Sequence, residues 1–116
     1  MWKFQSGDYD NREKPRWGGI VVLESGKVFG GDSVMAYLGT YEVDRGRIVA
    51  DVRSWNWNTD VLDDEMTNVF GMEGLIDYQV RLEGEVGNGV IDGAIWPVEQ
   101  PDFRLRARME KIAELP

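Results

Sequence analysis

From one end of the chain to the other, side chains alternate apolar and polar, and a turn signal interrupts the alternation about every 8 to 12 residues. In Leu75–Glu83, Ile76, Tyr78, Val80 and Leu82 fall on one face and Asp77, Gln79, Arg81 and Glu83 on the other. In Arg47–Trp57, Ile48, Ala50 and Val52 oppose Arg47, Asp51 and Arg53. Met35, Tyr37, Tyr41 and Val43 share a face, with Gly39 in the middle of that row. A period of two is what a half-buried antiparallel strand requires. Between the runs stand Ser25-Gly26, Asp44-Arg45-Gly46 and Gly87-Asn88-Gly89, residues that supply the positive φ of tight hairpins. Short strands joined in this way predict an all-β fold: an up-and-down antiparallel barrel of about eight strands.

Two regions depart from the pattern. Asn56 to Glu73 is polar and lacks a period of two, so it reads as a long loop with a short helix from about Thr59. From Phe103 to Leu115, alternation of Phe103, Leu105, Ala107 and Met109 with Arg104, Arg106 and Arg108 predicts a strand to about Glu110. Leu105, Met109 and Ile112 also fit helical spacing, but Pro101 and the alternating arginines favour the strand. With 116 residues, the expectation is one β-barrel domain over 1–116.

Composition removes whole classes of chemistry. The chain has no cysteine and no histidine. Disulfides, Cys- or His-ligated zinc, His-ligated haem and a Ser-His-Asp triad are therefore all excluded. Thirteen basic against 21 acidic residues give a net charge of −8, which argues against binding nucleic acid. Met1-Trp2-Lys3-Phe4-Gln5-Ser6-Gly7-Asp8 lacks a basic region followed by an apolar run, so no signal peptide is expected. No apolar run approaches the roughly 20 residues that span a bilayer, and the expected location is the cytoplasm, away from membranes.

The run Gly26-Lys27-Val28-Phe29-Gly30-Gly31-Asp32-Ser33, followed by Tyr37-Leu38-Gly39-Thr40-Tyr41, resembles the GrlR-like family. The founding members are negative regulators of type III secretion genes. The resemblance extends to the Trp2-Lys3-Phe4 and Gly18-Gly19-Ile20-Val21-Val22 segments and covers most of the chain. It implies an eight-stranded, lipocalin- or calycin-like barrel that forms a homodimer. It also implies a protein partner, since in these regulators an acidic Glu-Asp-Glu-Asp loop is held to contact a transcriptional activator. The equivalent stretch here is Glu42-Val43-Asp44-Arg45-Gly46, in which Glu42 and Asp44 keep the acidity and Arg45 opposes it.

No catalytic residues, metal ligands or cofactors are expected. Asp60, Asp63, Asp64 and Glu65 lack the alternate spacing and the glycine of a calcium loop and read as a solvated turn. Gly84-Glu85-Val86-Gly87-Asn88-Gly89 and Gly30-Gly31-Asp32 are turn glycines, since neither matches a phosphate cradle. Arg104, Arg106 and Arg108 form a basic stripe that cross-strand acids would neutralise.

The aromatic surplus is more informative. Trp2, Phe4, Tyr37, Tyr41, Tyr78 and Phe103, with Met109, fall on inward rows. An eight-stranded barrel is either filled by such side chains or holds one small ligand. Trp55 and Trp57 share the outward row of Arg47, Asp51 and Arg53, where they form a partner contact or lie beneath the Thr59–Glu73 loop. The leading expectation is a non-enzymatic cytoplasmic binding protein acting by protein contact. The alternative is a carrier or sensor of a small apolar ligand.

Overall fold

Eight antiparallel strands close into a barrel in which each strand pairs with its sequence neighbours and β1 pairs with β8. They are β1 (Trp2–Gly7), β2 (Trp17–Glu24), β3 (Lys27–Gly31), β4 (Met35–Asp44), β5 (Arg47–Asn56), β6 (Asp77–Gly87), β7 (Val90–Pro97) and β8 (Leu105–Lys111). This is a computed structural model, and it describes residues 1–7, 17–32, 35–57 and 77–114. The loop helix expected from Thr59, the acidic cluster at Asp60 to Glu65, and Ile76 lie outside the described residues.

The two ends of the barrel differ. At one end the hairpins are as tight as hairpins become. Ser25 (φ 51°) with Gly26 (φ 81°), and Arg45 (φ 53°) with Gly46 (φ 75°), place both central residues in left-handed backbone. That is the type I′ geometry whose twist matches the strands. Asp44 and Gly87, expected in turns, belong to β4 and β6, so the β4–β5 and β6–β7 connections are two residues long. At the opposite end lie the longer connections after β1, β3, β5 and β7. We call these the turn end and the loop end.

The register is inclined around the barrel. A row of partners runs from Tyr78 through Ser54, Tyr37, Gly30, Val21 and Trp2 to Lys111. The Lys111 N–H then donates to the Gly89 carbonyl, at the far end of β6 from Tyr78. One circuit thus climbs a whole strand, the stagger that lets a sheet close with tilted strands.

Alternation decides what fills the interior. Val21, Val28, Ile48, Ala50, Val80, Leu82, Ile91, Ile95, Leu105, Ala107 and Met109 form the buried core, with Trp2, Phe4, Tyr37, Tyr41 and Tyr78 packed on it. Inward positions at the waist are also held by glycine. A Cβ on Gly39 would abut the Asp51 carbonyl and lie 2.8 Å from Val52 Cα. On Gly93 it would abut the Glu83 carbonyl and lie 2.5 Å from Gly84 Cα. The backbones of adjacent strands thus approach closely on the inner side at these glycines.

One inward assignment is corrected. Phe103 is 44% exposed and precedes β8, which begins at Leu105. The Gln100 N–H donates to the Pro97 carbonyl and the Phe103 N–H to the Gln100 carbonyl, so consecutive turns hold this stretch out of the sheet. The alternation of the arginines continues in sequence two residues beyond the ladder that could use it.

Candidate functional site

Polar groups gather inside the loop end. Asp32 follows β3 and folds the chain back into β4: its N–H donates to the Met35 carbonyl (2.9 Å) and its Oδ1 accepts from the Met35 N–H (2.7 Å). Its Oδ2 accepts from the Tyr37 hydroxyl at 2.9 Å, and its carbonyl accepts from Trp57 Nε1 at 2.9 Å. Burial of the Tyr37 phenol, followed by the Asp32 charge and hydrogen bond and by Tyr78, raises its pKa far above the ordinary phenol value. Tyr37 therefore stays neutral and donates. Its ring meets Phe4 edge-on, with centroids 6.4 Å apart and planes at 66°.

Two serines also stand on inward rows toward this end. Ser54 sits between Tyr37 and Tyr78 in the register, and Ser6 is opposite Ala107. They are 3% and 2% exposed, and neither Oγ finds a hydrogen-bond partner among the described residues. A buried hydroxyl left unsatisfied costs about 1–3 kcal/mol. Two of them at one end of a small barrel form an unusual concentration of unmet hydrogen-bonding capacity. Among the described residues no three acidic side chains converge as a metal site requires.

The residues expected inside are divided by height. Phe4, Tyr37 and Tyr78 meet near the loop end, Trp2 and Tyr41 pack toward the turn end, and Met109 lies buried between Phe4 and Ile91. Phe103 is not among them. Ser6, Ser54 and Asp32 are the additions. Each serine stands two residues after an inward apolar residue, Phe4 and Val52, so its facing was readable in the sequence.

The outer surface is also uneven. Over β5 to β8 and β1 it is laced with ion pairs: Arg53–Asp77 (2.8 Å), Arg81–Asp51 (3.3 Å), Arg106–Asp92 (2.6 Å), Arg108–Glu110 (3.2 Å) and Lys3–Glu110 (3.7 Å). The Arg106 and Arg108 side chains are thereby matched by acids, and the Arg104 guanidinium lies 4.1 Å over the Trp96 ring. Over β2 to β4 the surface is apolar instead. Val22, Phe29 and Leu38 are consecutive partners across three strands, and Ile20, Ala36 and Trp55 lie on the next outward row. Ile20, Phe29, Leu38 and Trp57 are 41%, 40%, 47% and 55% exposed. Trp55 is half-buried beneath the Arg53 guanidinium, 4.4 Å from its ring. The outward tryptophans are therefore the edge of a broader face, not its whole extent.

Glu42 and Asp44 are exposed at the turn end, in register with Val49 and Arg47, which in turn face Glu83 and Glu85. By register they stand six to ten residues along the strand, about 20–33 Å at 3.3 Å per residue, from Trp55 and Trp57. The acidic tip and the tryptophans are two separate places. No family model matches the sequence, and no curated protein matches it.

Proposed function

We propose that this is a non-enzymatic cytoplasmic binding protein that works by protein–protein contact, in the manner its resemblance to GrlR-like regulators implies. The observation that carries this reading is the contiguous apolar face of Ile20, Val22, Phe29, Leu38 and Trp57 on a barrel whose other outer strands carry ion pairs. Exposed apolar area of this continuity marks interaction surfaces. A closed barrel has no free strand edge, so association uses outward side chains. The face pairs two copies of the chain about a two-fold axis, and the acidic tip with Glu42 and Asp44 stays free for a partner with basic surface, such as a transcriptional activator. Charged residues outside and apolar residues inside are the reverse of a transmembrane barrel, which supports a protein working in water.

Sedimentation tests the reading. The native chain should be a dimer, and Phe29→Ser with Leu38→Ser should give a monomer with unchanged strand content. Trp55→Ser with Trp57→Ser, at the edge of the face, should weaken the dimer. A monomeric native protein, or a dimer that survives the Phe29/Leu38 change, refutes it.

A further inference from the structure

We infer that Asn88, in the β6–β7 turn, is a modification site at which the folded protein deamidates itself, changing the charge and the backbone of the turn end. This goes beyond the protein-contact reading and does not depend on it. The reaction needs no co-reactant but water. The Gly89 amide nitrogen attacks the side-chain carbonyl carbon of Asn88, the bond from that carbon to its NH2 group breaks, and ammonia leaves with the Gly89 amide proton. Water then opens the succinimide ring at either carbonyl. One opening gives aspartate, and the other gives isoaspartate, with the main chain rerouted through the side chain.

The first ground is the following residue. Of five asparagines only Asn88 precedes glycine, while Asn11, Asn56, Asn58 and Asn68 precede Arg12, Trp57, Thr59 and Val69. A side chain there crowds the attacking nitrogen, and glycine has none. The second ground is the turn. Asn88 is exposed and is the first of the two residues joining β6 to β7. Gly89 has a φ of 70°, and among the described residues no backbone hydrogen bond takes up its N–H. The attacking nitrogen is therefore outside the ladder, and the amide it attacks is in water. The third ground is an internal contrast. Asp92-Gly93 could close the same ring with loss of water, but it lies inside β7 between the β6 and β8 ladders. Its carboxylate is also held 2.6 Å from Arg106. The chemistry is open at the turn and closed in the sheet.

Either product adds a negative charge to a chain already at −8, at the end that presents Glu42 and Asp44. Isoaspartate also puts a methylene into the main chain of a connection whose length fixes the β6–β7 register. The change reaches β8, because the Gly89 carbonyl accepts from the Lys111 N–H at 2.8 Å.

Ageing the native protein in mildly alkaline buffer, folded and in urea, tests this by peptide mass mapping that separates isoaspartyl from aspartyl peptides. In the folded sample Asn88 should exchange NH2 for OH at least tenfold faster than any other asparagine, and within tenfold of its rate in urea. Asp92 should isomerise at least tenfold faster in urea than in the folded chain. The isoaspartyl form should melt below the native chain, whereas Asn88→Asp, with the charge but no added methylene, should melt close to it. Asn88→Gln should keep its mass, because its ring would be larger and slower to close, and position 88 has no positive φ for Gln to strain. Protection of Asn88 by folding beyond tenfold, or a faster asparagine elsewhere, overturns the inference. So does isomerisation of Asp92 as fast in the folded chain as in urea, or an isoaspartyl form that melts with the native chain.

Discussion

Gly39→Ala isolates the geometry that lets this sheet close. The added methyl would abut the Asp51 carbonyl and lie 2.8 Å from Val52 Cα and 3.0 Å from Asp51 C. These atoms are backbone in the middle of the long β4–β5 ladder, so no side chain can rotate out of the way. Overpacking ordinarily costs about 1–3 kcal/mol, and a clash with a ladder backbone belongs at the upper end. Against it stands a gain of about 0.4–1 kcal/mol from restricting the unfolded chain. The net expectation is a loss of about 2–2.6 kcal/mol. Gly87→Ala is the matched control, because a Cβ there meets nothing nearer than the Val90 carbonyl at 4.0 Å. It should be neutral or stabilising by about 0.5 kcal/mol. Urea unfolding followed by tryptophan fluorescence gives both values by linear extrapolation. If Gly39→Ala stays within about 0.5 kcal/mol of the native chain, the close strand approach is not what demands glycine there.

The buried Tyr37 phenol makes alkaline stability a second test. Its folded pKa lies above its unfolded value, so its contribution is complete below about pH 10 and drains away as the unfolded chain ionises above that. Tyr37→Phe should lose stability less steeply than the native chain between about pH 10 and 11.5, and parallel slopes in urea melts would refute the assignment. A chelator such as EDTA should leave the melting temperature unchanged, given the absence of His and Cys. A drop of several degrees would show that acidic residues hold a structural cation.

Alternation carried much of the fold. Ile48, Ala50, Val80 and Leu82 sit inward because each strand contacts water on one side only, which the period of two records directly. It was silent where both neighbours are apolar. In Ile20-Val21-Val22-Leu23 no polar residue marks the outer side, so the outward Ile20 and Val22 could not be told from the inward Val21 and Leu23, and the apolar face went unseen. It misled at Phe103, where the pattern outlasts the hydrogen-bonded ladder. For Gly39 the row shows only a missing side chain between Tyr37 and Tyr41. The structure supplies the reason, the backbone of β5 against its inner side. The site was harder. That Ser6 and Ser54 face inward follows from spacing, but that they lie on opposite walls and lack partners among the described residues follows only from the closed sheet.

That closure also shapes how the chain must acquire its structure. Seven of the ladders join strands adjacent in sequence, and the eighth joins residues 2–7 to residues 106–111. The short-range ladders can zip as hairpins once their turns form, on the microsecond scale of such events. The β1–β8 seam must wait for both extremes of the sheet to meet, and the loop-closure entropy of that step falls on one late contact. Until then β1 and β8 each present an unpaired row of N–H and C=O groups, able to capture the same edge of another unfinished copy. During synthesis the interval lasts until β8 has emerged, so slowed translation late in the chain should raise aggregation more than the same slowing early.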